Sequence, residues 1–104
     1  MNVKHYIKNR TLLFEITEEL DHHEAEKLRK RTDYEIQRLM PKKVIFDFEN
    51  VKFMDSAGIG LIIGRYKQIK SIGGKMELIN VNEKIKKIFE MSGILKIINI
   101  VSVW

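Results

Sequence analysis

With 104 residues, no cysteine and 44% hydrophobic residues, the chain suits one domain with a core of its own; disulfides, thiolate metal sites and cysteine nucleophiles are excluded. Nineteen basic against fourteen acidic residues leave a net charge of +5, yet the two signs are mixed along the chain, as from Glu24 to Arg31. That pattern describes solvated faces with a bias toward acidic partners, not the basic stripe of a nucleic-acid reader. No apolar run approaches the ~20 residues that span a bilayer, and Met1 to Tyr6 lacks the apolar stretch of a signal peptide. The expectation is a cytoplasmic protein without membrane contact.

Val3 to Lys8 and Thr11 to Thr17 read as two strands joined at Asn9-Arg10, with Leu12, Phe14 and Ile16 on one face by period-two alternation. Asp21 then starts a helix as its N-cap, with Glu24 three residues on as in a capping box. Ala25, Leu28, Thr32, Ile36 and Leu39 recur at helical spacing up to Pro41, while Lys27, Arg29, Lys30, Arg31, Glu35 and Arg38 form the expected solvated face. His22 and His23 are adjacent and diverge by about 100° on a helix, which suits a metal poorly.

Val44 to Phe48 is a nearly continuous apolar run, the mark of a central parallel strand covered on both faces. A second helix is expected from Ser56 to about Ile72, with Ile59, Ile62, Ile63, Tyr66 and Ile69 as its buried stripe and Gly73-Gly74 as its stop. Met76 to Val81 is the next strand. Asn82 caps a short helix that carries Ile85, Ile88 and Phe89 inward and ends at Ser92-Gly93, and Ile97 to Val101 closes the series. A hairpin followed by helix and strand alternating three times predicts a single α/β domain over 1–104, with a mixed, largely parallel sheet. In such a fold the functional edge lies beyond the C-terminal ends of the strands.

On that edge stands Phe53-Met-Asp-Ser-Ala-Gly-Ile-Gly60. With Asp55 as N-cap, Met54 and Ile59 occupy the two positions of a hydrophobic staple and Ser56 is the first helical residue. Ser56 is not needed as the cap. Its hydroxyl is free beside amides that lack intrahelical partners and beside the positive end of the helix dipole. Asp-Ser before a helix also serves as a plain cap, and Asp21 admits the same two readings. Gly58 and Gly60, each worth about 1 kcal/mol of lost helix propensity relative to alanine, point either to something that approaches the backbone or to tight packing on the sheet.

For an enzyme the inventory is thin. Gly58, Gly60 and Gly64 miss the dinucleotide fingerprint, no P-loop lysine follows them, and Met54 stands where a hydrolase elbow wants glycine. The three histidines have no evident orienting partner, so no catalytic residue, metal site or cofactor is expected.

Glu19-Leu-Asp-His-His23, Phe53-Met-Asp-Ser-Ala-Gly-Ile-Gly60, Gly64-Arg-Tyr-Lys-Gln-Ile-Lys70 and Met91-Ser-Gly93 with Leu95-Lys-Ile97 closely resemble the anti-sigma factor antagonists of the STAS domain family. The resemblance implies a single STAS domain acting as a switch. Its unmodified form binds an anti-sigma factor that is also a serine kinase, carrying ADP or ATP, and so frees a sporulation-type sigma factor. Phosphorylation of the serine after the Met-Asp pair, here Ser56, turns it off, and a serine phosphatase resets it. The partner-binding surface is expected at Asp21, Asp55, Ser56, Ala57, Gly58, Ile59 and Arg65, with Lys67 adding charge. Two departures stand out: Ala57 replaces the second serine of many relatives, and their final amphipathic helix has no counterpart before Trp104. The alternative within the same fold is a scaffold or small-ligand sensor that is never phosphorylated.

Overall fold

The strands follow one another across the sheet in chain order, β1-β2-β3-β4-β5, with β1 antiparallel to β2 and every later pair parallel. This is a computed structural model that describes residues 3–17 and 19–101, with the side chains of 3–6 outside that description. The end of the chain at Trp104, before which no final helix is expected, lies outside the described residues. The elements are β1 Val3–Lys8, β2 Thr11–Ile16, α1 His22–Leu39, β3 Lys43–Asp47, α2 Ser56–Ser71, β4 Lys75–Ile79, α3 Glu83–Ser92 and β5 Asn99–Val101. Every helix cap read from the sequence is present. Asp21, Asp55 and Asn82 cap α1, α2 and α3, and Gly93 ends α3 at a left-handed φ of 78°. The strands differ at their ends: β5 begins at Asn99, not Ile97, because Ile94–Lys96 winds into a single 3-10 turn.

Successive parallel strands are each added on the same side, so right-handed crossovers place all three helices on one face of the sheet. Leu12, Phe14 and Ile16 of β2, Val44 and Phe46 of β3, and Met76 and Leu78 of β4 face these helices and meet Leu28, Ile36, Ile62, Ile69, Ile85 and Phe89 in one core. Phe48, just beyond β3, packs edge-to-face on Phe89, ring centres 5.6 Å apart, which ties α3 to the central strand. Ile45 points to the other face and is also fully buried, so the centre of β3 is buried on both faces, as its unbroken apolar run predicts, although the helices all lie on one.

Two expectations about helix faces are corrected. Glu35 is not on a solvated face; it is 5% exposed, and its carboxylate meets the Arg38 guanidinium at 2.7 Å. The buried arc of α2 comprises Gly58, Leu61, Ile62, Arg65 and Ile69, while Ile59, Ile63 and Tyr66 are only half-buried against the core. The reason is that α2 packs against α1 as well as against the sheet, and a second neighbour rotates the buried arc away from the purely aliphatic stripe.

Candidate functional site

β2 and β3 are sheet neighbours, so the loops that leave them run side by side. Leu20 and Met54 pair there as an isolated parallel bridge: the Leu20 amide donates to the Phe53 carbonyl at 2.9 Å, and the Asp55 amide to the Leu20 carbonyl at 3.2 Å. Both side chains are buried. From this stitch each chain turns at once into a helix. Asp21 Oδ1 accepts from the Glu24 amide at 2.9 Å, and Asp55 Oδ1 accepts from the Ala57 amide at 2.8 Å. The second Asp55 oxygen, Oδ2, accepts from the amide of His22, the first residue of α1, at 3.1 Å. One carboxylate therefore caps two helices. The paired pattern Leu20-Asp21-His22 and Met54-Asp55-Ser56, apolar residue then aspartate, was the signal in the sequence for this stitch.

Ser56 opens α2 and is exposed, as is Gly60; Ala57 and Ile59 are half-buried. The glycines part ways by packing. A Cβ on Gly58 would lie 2.2 Å from Met54 Cγ, 2.7 Å from Met54 Sδ and 3.2 Å from Leu20 Cβ, so α2 sits directly on the stitch and the space a side chain would need is filled. Met54, the residue expected to staple onto Ile59, therefore packs on Gly58. A Cβ on Gly60 or Gly64 would meet nothing within 4 Å. Ser56, Gly60 and Gly64 recur every four residues and so share one stripe of the helix.

Beside this stripe a shallow groove of about 300 Å³ runs between α1 and α2, with Ala25, Ala57, Gly60 and Leu61 along it and His22, Glu26 and Arg29 as its polar lining. Arg29 is tied to Glu26 by bonds of 2.6 and 3.2 Å; that hydrogen bond lowers the Glu26 pKa and raises that of Arg29. On the other side of the stitch an open depression of about 410 Å³ is lined by Thr17, Glu19, Asp21, Glu24, Asn50 and Lys52, three carboxylates to one ammonium. Asp21 thus stands on the same edge as Asp55 and Ser56. Among the described residues no group of three or more His, Cys, Asp or Glu could hold a metal ion, and no helix is long and apolar enough to cross a membrane.

Arg65 is placed elsewhere than expected. It is 7% exposed and lies in the seam between the two helices, where Nη1 donates to the Arg29 carbonyl at 3.2 Å and Nη2 lies 3.9 Å from Asp33 Oδ1. Burial lowers its pKa, with Asp33 opposing. Three residues on, Gln68 Nε2 donates to the Asp33 carbonyl at 3.1 Å. An arginine among isoleucines on a helix is ambiguous in sequence. The (i, i+3) spacing to Gln68 is the only sequence sign that both face α1.

Residues 2–103 match the STAS domain. The chain is 39% identical over 89 residues to the anti-sigma F factor antagonist of Paenibacillus polymyxa, a stretch covering 86% of this chain and 76% of that one. It superimposes on the solved structure of the anti-sigma factor antagonist SpoIIAA in its unphosphorylated form with a TM-score of 0.77 at 26% identity, over 98% of this chain and 89% of that one. On the phosphorylated form of the Bacillus cell fate determinant SpoIIAA the TM-score is 0.75 at 28% identity, over 96% and 91%. This chain belongs to the STAS domain family, and the relatives named above are described as anti-sigma factor antagonists.

Proposed function

We propose that the chain is an anti-sigma factor antagonist whose unmodified form binds an anti-sigma factor through the edge built around Asp55 and Ser56, and that phosphorylation of Ser56 ends the binding. The observation that carries this is Ser56 itself: an exposed residue at the first position of α2, with the capping already done by Asp55. The relatives' description as anti-sigma factor antagonists, and the existence of SpoIIAA in both phosphorylation states, support the same reading. The kinase is the nucleotide-bound anti-sigma factor, a serine phosphatase reverses the step, and the factor set free is a sporulation-type sigma factor.

The physics of the switch follows from position. A phosphoserine adds about −1.5 to −2 charges, and at the start of a helix these meet the favourable end of its dipole. The fold is therefore spared. At a packed interface the same dianion has to be desolvated without a partner, a penalty of several kcal/mol, and each 1.4 kcal/mol is about tenfold in affinity. Gly60 and Gly64, bare on the Ser56 stripe, leave room for a partner to lie against the α2 backbone, and the acidic depression at Glu19, Asp21 and Glu24 suits a basic side chain from it.

The test is to mix purified protein with its anti-sigma factor in ADP and in ATP. A stable complex is expected with ADP; with ATP, release and one added phosphate on Ser56 by mass spectrometry. A complex that persists in ATP with no modification overturns the switch and leaves an unphosphorylated scaffold.

A further inference from the structure

Arg65 and Gln68 are polar side chains in the seam between two helices where aliphatic residues would pack, and both are incompletely satisfied. Arg65 Nε and Gln68 Oε1 are buried and have no hydrogen-bond partner among the described residues. Buried charged pairs replaced by apolar side chains of similar volume often leave a protein as stable or more so. What the polar pair adds is register. Both bond main-chain carbonyls of α1, those of Arg29 and Asp33, one turn apart, and a backbone oxygen marks the axial position of a helix whatever its side chains do. Apolar contacts such as those of Ala25, Leu28 and Leu61 lack that directionality.

The geometry fixes α1 against α2 at three levels: Asp55 to the His22 amide, Arg65 to the Arg29 carbonyl, Gln68 to the Asp33 carbonyl. Helical side chains lean toward the N-terminus, so Arg65 reaches back toward the site and not away from it. At about 1.5 Å per residue a slip of one residue between the helices would exceed the tolerance of the Asp55–His22 hydrogen bond.

We propose that Arg65, seconded by Gln68, is a positioning residue for Ser56: by holding α1 at one height on α2 it keeps His22 on Asp55 and so holds the first turn of α2 in the form presented to the kinase. The inference rests on the reading of Ser56 as the modified residue. Its test separates the two.

In the full chain, Arg65→Met removes both ties at nearly equal volume. Amide hydrogen exchange of His22 and Ala57 is followed against core amides such as Ile36 and Ile62. His22 is expected to exchange at least tenfold faster with the core amides unchanged, and phosphorylation of Ser56 by the anti-sigma kinase with ATP to lose kcat by a similar factor with KM little altered. Arg65→Lys, which keeps one donor, should restore part of both. Unchanged His22 exchange in the folded variant, or an increase shared equally by every amide, overturns the proposal. If Arg65→Met does not fold, Gln68→Met and Arg65→Lys carry the same comparison. Should wild-type protein acquire no phosphate at Ser56, the functional reading falls, while the exchange of His22 still decides whether Arg65 sets the register.

Discussion

Two glycines two residues apart on α2 do opposite things. Gly58 faces inward, and the room its side chain would take is held by Met54 and Leu20; Gly60 faces outward, with nothing near it. Both lower the intrinsic stability of the helix by about 1 kcal/mol relative to alanine. Only the first is repaid within the molecule, by letting α2 sit on the stitch between the two loops. The second has no packing neighbour within the described residues to offset it, and such an exception to local helix chemistry, on the stripe that begins at Ser56, is what the proposed docking surface calls for. One face of α2 serves the fold, and the other is the face proposed to meet a partner.

The sharpest test of that division is charge at its outer end. Ser56→Asp should weaken anti-sigma binding at least about 100-fold, roughly 2.7 kcal/mol, while Ser56→Ala binds as wild type and both melt close to it. Equal affinities for the two variants would remove the charge-based switch. On the inner face, Gly58→Ala forces Met54 aside and should destabilise by about 1–3 kcal/mol, read as a drop in Tm with little change in whatever binding the folded fraction shows. Gly60→Ala should do the reverse, raising stability by up to about 1 kcal/mol while weakening binding about tenfold. A Gly60→Ala protein that is more stable and binds as tightly would mean the outer face is idle. The smallest effect is expected at the rim of the groove. Glu26 should titrate below the ordinary carboxylate range because Arg29 holds its charged form, and Arg29→Gln should raise its midpoint toward that range. The sign is that of a depressed acid: what the pair contributes is present at neutral pH and is lost as pH falls through the Glu26 midpoint. Both groups are exposed, so melting should barely move.

Elements governed by near neighbours were legible without coordinates. The caps at Asp21, Asp55 and Asn82, the Asn9-Arg10 turn with both φ angles positive at 52° and 62°, and the order of strands and helices follow from patterns a few residues long. The long-range terms were not. Glu35 and Arg65 belong by residue type on solvated faces; the seam of α1 on α2 removes Arg65 from water, and Glu35, on the other flank of α1, is buried beside Arg38. For the site, sequence placed Ser56 at the start of α2, beyond the C-terminal end of β3, where it stands, but left open what Gly58 and Gly60 were for, since both uses need a glycine and differ only in what lies opposite. The shared use of Asp55 by two helices was invisible for the same reason: its second oxygen is satisfied by an amide 33 residues away in the chain.

The adjacency of β2 and β3 has a consequence for how this edge can vary. Both loops belong to consecutive crossovers of a single unbroken stretch, Thr11 to Ser71, and the turn from β4 to α3 braces the second of them: Asn80 Nδ2 donates to Asp47 Oδ1 at 3.0 Å and Asn82 Nδ2 to the Val51 carbonyl at 3.3 Å. Given the proposed docking surface, exchanging that stretch between homologues with Asn80 and Asn82 kept should carry partner choice with it as one heritable cassette.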